Sequence, residues 1–303
     1  MTMDGTLTTQ METYRPLLFS IAYRMTGSAS DAEDLVQEAY LRTLTSAPVA
    51  VASPKAYLTT IISRLALDYL KSARVQREDY AGEWLPEPVL TRAPAAAPDE
   101  VAEDHESLSM AFLVLLEALT PPERAVFLLH KVFDYPFAEI ATMLEIPTAT
   151  CRQHYHRAQA HIAEHRHSFD VSPDAHRKLL AGFLTAVSAG NVEALARLLA
   201  TDVMSWSDGG GKVLAAMRPI AGRDHVARFI VGIMQKAPDT VRYDVARVNS
   251  EPALLIWLGE SLFDVVTFEL SATHIVGIRF MLNPDKLVYL TRQLTAPDIY
   301  PPL

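Results

Sequence analysis

Arg152, Gln153, His156 and Arg157 crowd hydrogen-bond donors and cations into one short stretch. Arginine and glutamine can donate to base edges in the major groove, and arginine also holds phosphate, so these residue types suit DNA recognition rather than bond making. A second set lies much later: Asp202, Trp206, His225, Tyr243, Trp257 and His274 are the acids, imidazoles and aromatics that line a small-molecule pocket with a general base. No spacing among them singles out a base and its orienting partner, and no cluster has metal-ligand spacing. No catalytic residue, metal or cofactor is therefore expected.

The first set needs a helix to present it. From Phe137 to Ile162 the pattern is two short helices and a tight turn: Ile140, Ala141 and Leu144 face one way, Ile146-Pro147 ends the first helix, and Cys151, Tyr155, Ala158 and Ile162 form one buried stripe on the second. At about 100° per residue, Arg152, Gln153, His156 and Arg157 then fall on the opposite, solvated face, as a recognition helix requires. The single cysteine, Cys151, is expected to pack as a small hydrophobe.

At 303 residues the chain is long enough for two or three domains, and 50% hydrophobic with 21% charged is ordinary globular composition. No apolar run reaches the ~18 residues of a membrane span, and no signal-peptide pattern opens the chain, so a cytoplasmic location without membrane contact is expected. The net charge of −9 looks wrong for a DNA binder until it is placed. Between Glu78 and Glu106 nine acids face Arg92 alone, a net of −8, and Pro86, Pro88, Pro94 and Pro98 stiffen the same segment. That segment reads as an acidic linker between helical modules.

Ahead of the linker, Leu17, Leu18, Ile21, Ala22 and Met25 mark one helix face, and Gly27-Ser28 closes that helix. Ser30 with Glu33 then predicts a capping box for a second helix whose exposed face is acidic and carries little apolar surface. A third helix follows Ser53-Pro54, with Tyr57, Leu58, Ile61, Ile62, Leu65, Ala66 and Leu70 inside and Arg64, Asp68, Lys71, Arg74 and Arg77 outside.

Asp31-Ala-Glu-Asp-Leu-Val-Gln-Glu-Ala, then Pro54-Lys-Ala-Tyr-Leu and Ser63-Arg-Leu-Ala-Leu-Asp-Tyr-Leu-Lys, resemble region 2 of bacterial extracytoplasmic-function sigma factors. Leu119-Thr-Pro-Pro-Glu-Arg-Ala-Val-Phe and the helix-turn-helix after it resemble region 4. The resemblance implies core RNA polymerase, through its β′ and β subunits, and promoter DNA as partners. It implies that Asp31, Glu33, Asp34, Gln37 and Glu38 meet the β′ clamp helices. It places Arg64, Asp68, Lys71 and Arg74 on the minus-ten element, and Arg152, Gln153, His156 and Arg157 in the major groove of the minus-thirty-five element. Two departures stand out. Glu145 holds a turn position where many relatives carry Gly, so it must adopt a left-handed conformation or use another turn. Pro147 replaces a frequent capping Ser, which leaves Thr148 or Thr150 to cap.

Beyond His167 the chain continues for a domain's length. Leu179 to Leu199 carries two helical patterns. Asp208-Gly-Gly-Gly-Lys predicts a hairpin turn with Val213 to Met217 as the returning strand. A helix over Asp224 to Gln235 precedes strand-like runs at 241–248, 253–258, 261–270 and 273–282. Helices first and a curled sheet afterwards predict an α+β domain, and the order resembles a SnoaL-like, nuclear-transport-factor-2-like cone.

Trp84-Leu85-Pro86-Glu87-Pro88, Asp208-Gly209-Gly210-Gly211-Lys212 and Asn283-Pro284-Asp285-Lys286-Leu287 resemble motifs of sigma factors fused to such a domain, and the resemblance implies that they form a regulatory interface. A Trp followed closely by two prolines is a rigid apolar anchor, the glycines allow close backbone approach, and Lys212 is positioned to pair with a linker acid. The expected fold is multidomain: an all-α region 2 over 8–77, an acidic Pro-rich linker over 78–107, an all-α region 4 over 108–168 and an α+β cone over 169–303. The expected function is promoter recognition by a non-enzymatic sigma factor regulated in cis by its C-terminal domain. The competing reading is a small-molecule-binding or polyketide-cyclase or isomerase-like enzyme domain fused to a DNA-binding module, and an unknown small ligand in the cone remains open under either.

Overall fold

The computed structural model describes residues 4–46, 51, 53–78, 80–91, 108–165, 173–238 and 240–297. They fall into two compact units. One holds the described residues through Glu78 together with 108–165. The other holds 80–91 together with 173–297.

The first unit is all-helical: α1 (Asp4–Thr26), α2 (Ala29–Ser46), α3 (Pro54–Glu78), α4 (Met110–Glu117), α5 (Pro121–Phe127), a π-helical turn (Leu128–Val132), α6 (Phe137–Leu144) and α7 (Thr148–His165). Leu18, Ile21, Ala22 and Met25 of α1 pack with Val36 and Ala39 of α2 and Leu58 and Ile62 of α3, all buried. Each such Leu or Ile contributes about 1.5–3 kcal/mol by leaving water. The α2 cap differs from expectation. Gly27 turns left-handed at φ 69°, so the helix begins two residues earlier, at Ala29, and the Ser28 hydroxyl, not Ser30, accepts from the Asp31 amide at 3.1 Å. Glu33 pairs instead with Arg15.

In the helix-turn-helix, Val126, Leu129, Ile140, Met143 and Cys151 form one core, and Ala56 of α3 packs against it. Burial pushes the Cys151 thiol pKa up, as for a packing residue. Glu145 takes the left-handed option, φ 55° and ψ 42°, and ends α6. The helix after it starts at Thr148, and the Pro147 carbonyl accepts from the Cys151 amide at 3.1 Å.

The second unit contains α8 (Pro173–Ser188), α9 (Val192–Leu198), β1 (Leu199–Asp208), β2 (Ile220–Ala221), α10 (Arg223–Met234), β3 (Val241–Val248), β4 (Glu251–Leu258), β5 (Ser261–Leu270), β6 (Ile275–Met281) and α11 (Pro284–Thr295). Its sheet runs β2-β1-β6-β5-β4-β3, with β1 parallel to β6 and the other pairs antiparallel. Leu254, Val266, Phe268, Ile278 and Phe280 share one face, where they pack with Phe183, Val226 and Ile230 of the helices. Strand alternation turns Trp206, Asp208, Leu255, Val265, Arg279 and Met281 to the other face, where α11 packs on β5. This is the α+β cone expected.

Residues 213–217 are not the strand predicted. The chain folds back so tightly that a side chain at Gly209 would meet the Val213 carbonyl at 2.7 Å, and Lys212 and Val213 both donate to the Gly209 carbonyl. Pairing resumes only at β2, opposite Met204 and Ser205. Among the described residues no helix is long and apolar enough to cross a membrane.

Candidate regulatory and nucleic-acid interfaces

The three C-terminal and linker motifs meet at Asp208, which is fully buried at the end of β1. Its carboxylate accepts from the Tyr80 hydroxyl (2.5 Å), the Leu85 amide (2.9 Å), the Gly210 amide (3.1 Å) and the Lys286 ammonium (2.7 Å). Its carbonyl accepts from the amides of Leu282 and Asn283, each at 2.8 Å. Lys286 also donates to the Leu85 carbonyl at 2.6 Å, and its charge lies over the rings of Trp84 (4.1 Å) and Tyr80 (4.8 Å). A buried ammonium in such surroundings is held by a carboxylate, a carbonyl and two π faces together. Asn283 caps α11 by accepting from the Asp285 amide and donates to the Tyr80 hydroxyl at 2.8 Å. Burial first, and the Asp208 carboxylate second, raise the Tyr80 pKa far above that of a free phenol.

The segment from Tyr80 to Thr91 therefore lies as a strap on the second unit. Leu85, Pro86, Glu87, Pro88 and Val89 are buried there and Trp84 is half-buried. At its far end the strap pairs with the β3–β4 corner, where Thr91 donates to the Arg247 carbonyl and Asn249 to the Val89 carbonyl, and with α11, where Leu90 donates to the Gln293 side chain at 2.7 Å. Two of the expected details differ. Lys212 is half-exposed and pairs with Asp285 rather than with a linker acid. The lysine that reaches the strap is Lys286, and Tyr80, outside every motif singled out in the sequence, is its second aromatic partner. Pro284 and Asp285 are exposed, while Leu287 is buried.

On α7, Arg152, Gln153, His156 and Arg157 are all exposed, opposite the buried Cys151, Ala158 and Ile162. The Arg152 guanidinium lies 6.0 Å from the Phe137 ring centroid, and Phe137 in turn stacks against His130 at 4.0 Å. Arg157 approaches Glu123 at 4.0 Å. On α3, Asp68 and Lys71 are exposed and pair with each other at 2.8 Å. The side chain of Arg74 lies outside the described residues. Arg64 turns toward the helix-turn-helix, donating to the Met143 carbonyl at 2.7 Å and pairing with Glu145 at 2.9 Å.

The acidic set on α2 divides. Asp34 and Gln37 are exposed and Glu38 is half-exposed beside Arg42. Asp31 instead accepts from the Tyr69 hydroxyl at 2.5 Å, and Glu33 holds Arg15. The same helix is less polar outside than its sequence suggests: Leu41 and Leu44 are 56% and 53% exposed. Beside them, between α1 and α2, Met11, Val36, Gln37, Tyr40 and Leu41 line a groove of about 290 Å³.

The pocket candidates are not gathered. Trp206 stacks on Arg279 and Trp257 on Arg242, Asp202 and His225 are exposed, and His274 bonds Thr273 in a turn. Among the described residues, the buried acid of the sheet face that packs with Phe183, Val226 and Ile230 is Asp264, on β5 opposite Ile256 and two residues before Val266. Sequence reasoning missed it because a single acid in an apolar strand carries no partner pattern.

Family models for sigma-70 region 2 and sigma-70 region 4 match residues 11–75 and 109–162. The chain is 41% identical over 228 residues to the ECF RNA polymerase sigma factor SigJ of Mycobacterium tuberculosis, covering 75% of this chain and 73% of that one. It is 33% identical over 285 residues to the probable ECF RNA polymerase sigma factor SigI of the same species, covering 93% and 94%. The crystal structure of M. tuberculosis SigJ superposes with a TM-score of 0.74 at 34% identity, over 92% of this chain and 98% of that one.

Proposed function

Since the chain belongs to the extracytoplasmic-function RNA polymerase sigma factors, whose business is promoter recognition with core polymerase, we propose that its C-terminal SnoaL-like domain regulates that activity in cis by holding the linker. The observation that carries this reading is the strap. The chain between the region 2 and region 4 helices is fastened to the C-terminal unit by a buried ion pair, an aromatic cage and backbone pairing. A covalently attached site acts at an effective concentration of order mM, so modest binding keeps the strap in place. Polymerase or a ligand then shifts the equilibrium only by favouring the released form. The SnoaL-like domain has no part in catalysis on this reading.

In the N-terminal unit, the exposed face of α7 is assigned to the minus-thirty-five element and α3, with Arg64, Asp68, Lys71 and Arg74, to the minus-ten element. Arg152→Ala should cost about 1–3 kcal/mol of binding at the upstream element, a loss of about fivefold to 150-fold. Run-off transcription with core polymerase checks it: promoter-specific output falls while core binding persists. Normal output from a folded variant would mean that this face does not read DNA.

The polymerase contact is assigned to the surface of α2 bearing Asp34, Gln37 and Glu38, together with Leu41, Leu44 and the adjoining groove. Acids rimming an apolar strip suit a partner helix that brings both cations and hydrophobic side chains, as assigned here to the β′ clamp helices. Asp34→Lys with Glu38→Lys should weaken association severalfold at low salt, with the difference shrinking as salt rises. Titration of core polymerase by fluorescence anisotropy reads this directly; affinity that ignores both charge and salt would place the contact elsewhere.

A further inference from the structure

Arg64 belongs to α3, yet its guanidinium is spent on the end of α6. It donates to the Met143 carbonyl at 2.7 Å and the Thr142 carbonyl at 3.4 Å, and pairs with Glu145 at 2.9 Å. Carbonyls at a helix C-terminus lack intrahelical partners and carry partial negative charge, so a cation there is doubly favoured. Glu145 adds a full charge in the turn, at the position where its left-handed φ of 55° would ordinarily call for Gly. Nearby, Thr59 of α3 and Tyr135 share a buried hydrogen bond of 2.9 Å, Arg124 donates to the Met25 carbonyl, and Ala56 packs in the helix-turn-helix core. Region 2 and region 4 thus form one compact unit, pinned at this seam.

That arrangement conflicts with promoter binding. Elements centred near minus ten and minus thirty-five are about 25 base pairs apart, roughly 85 Å of B-DNA. A compact unit of this size is only about 40 Å across. The helices assigned to the two elements cannot both reach their targets while α3 is seated on α6. We infer that Arg64 and Glu145 form a latch between region 2 and region 4, and that Arg64 exchanges the end of α6 for DNA when the modules separate. The inference rests on the assignment of Arg64 to the minus-ten element for its second half only; the latch itself stands on the contacts.

The test uses the full chain with dyes at Ser72→Cys on α3 and Gln159→Cys on α7; the native Cys151 is buried and stays unlabelled. Single-molecule energy transfer reads the fraction of molecules with the modules apart. Glu145→Gly keeps the turn, because Gly accepts the left-handed conformation, and removes the charge; Glu145→Gln removes only the charge. Both should raise the open-to-closed ratio about twofold to fivefold, the range for a partly exposed pair. Arg64→Ala, which also frees the two carbonyls, should raise it further. An unchanged ratio in all three variants overturns the latch. Promoter output separates the two halves: Glu145→Gly should raise it and Arg64→Ala lower it. If Arg64→Ala opens the protein yet raises output as Glu145→Gly does, the latch holds and the minus-ten assignment of Arg64 fails.

Discussion

Lys286→Met should destabilise the C-terminal unit by about 3–5 kcal/mol, the usual consequence of leaving one partner of a buried ion pair behind. Methionine fills much of the same space, so the loss is mainly electrostatic: Asp208 stays fully buried with its Tyr80, Leu85 and Gly210 donors but no countercharge. The strap should come away before the sheet melts, because Lys286 bonds the Leu85 carbonyl as well as Asp208. Hydrogen exchange at the Leu85 and Val89 amides should speed up by orders of magnitude, while amides of β5 and β6 keep their protection. Adding Asp208→Asn to Lys286→Met should recover a good part of the loss, and the double-mutant cycle measures the coupling. Equal protection of the strap in wild type and Lys286→Met would show that the pair does not fasten it.

Asp264 sets the second large expectation. Burial pushes its carboxyl pKa up to about 8, against the smaller opposing effect of the Val265 and Met281 backbone amides. In the unfolded chain an aspartate titrates near 4, so between about pH 4 and 8 the folded protein binds the extra proton. Stability of the C-terminal unit therefore falls as pH rises through that window, by up to about 1.4 kcal/mol per unit, and levels off above the folded pKa. Asp264→Asn removes the titration and still presents an acceptor to the two amides. Urea unfolding followed by tryptophan emission reads this unit alone, because Trp84, Trp206 and Trp257 all lie in it. The variant should be clearly more stable than wild type at pH 8 and the two should converge toward pH 4. A variant whose midpoint keeps the wild-type slope with pH would show that Asp264 is not the group responsible.

Much of the fold is local and therefore legible. The stripe Cys151, Tyr155, Ala158, Ile162, of which Tyr155 is only half-buried, fixes which face of α7 is exposed, and the alternation of β5 and β6 fixes their two faces without any tertiary information. Glu145 was legible too, as a residue forced to choose between strain and a different turn. What failed to show in sequence depends on partners distant along the chain. Lys212 and Lys286 each belong to a motif and look equally able to pair with an acid, yet only the fold puts Lys286 beside Asp208 and leaves Lys212 at the rim. The Ser30 cap was a local pattern that a left-handed Gly27 displaced by two residues, to Ser28. The Leu41 and Leu44 surface is hidden for another reason: on a helix with a wide apolar stripe, periodicity cannot say where the core stops and an exposed strip begins.

The run Gly209-Gly210-Gly211 asks for glycine three times on unrelated grounds. Gly209 faces the Val213 carbonyl, a side chain on Gly210 would lie 2.3 Å from the Asn283 amide nitrogen, and Gly211 (φ 70°) would place a Cβ 3.0 Å from that of Ala81. Two of those three neighbours belong to segments far away in the chain, the strap and the start of α11. The glycines are thus not a flexible tract but a mould cast from those segments. In evolutionary terms the motifs are chained together: once the Asn283 or Ala81 contact is abandoned, the steric demand for glycine at the matching position disappears, and any side chain that then enters blocks the way back. A lineage that gives up the strap should therefore release only Gly211 from its Ala81 neighbour, while the Val213 and Asn283 contacts still require Gly209 and Gly210.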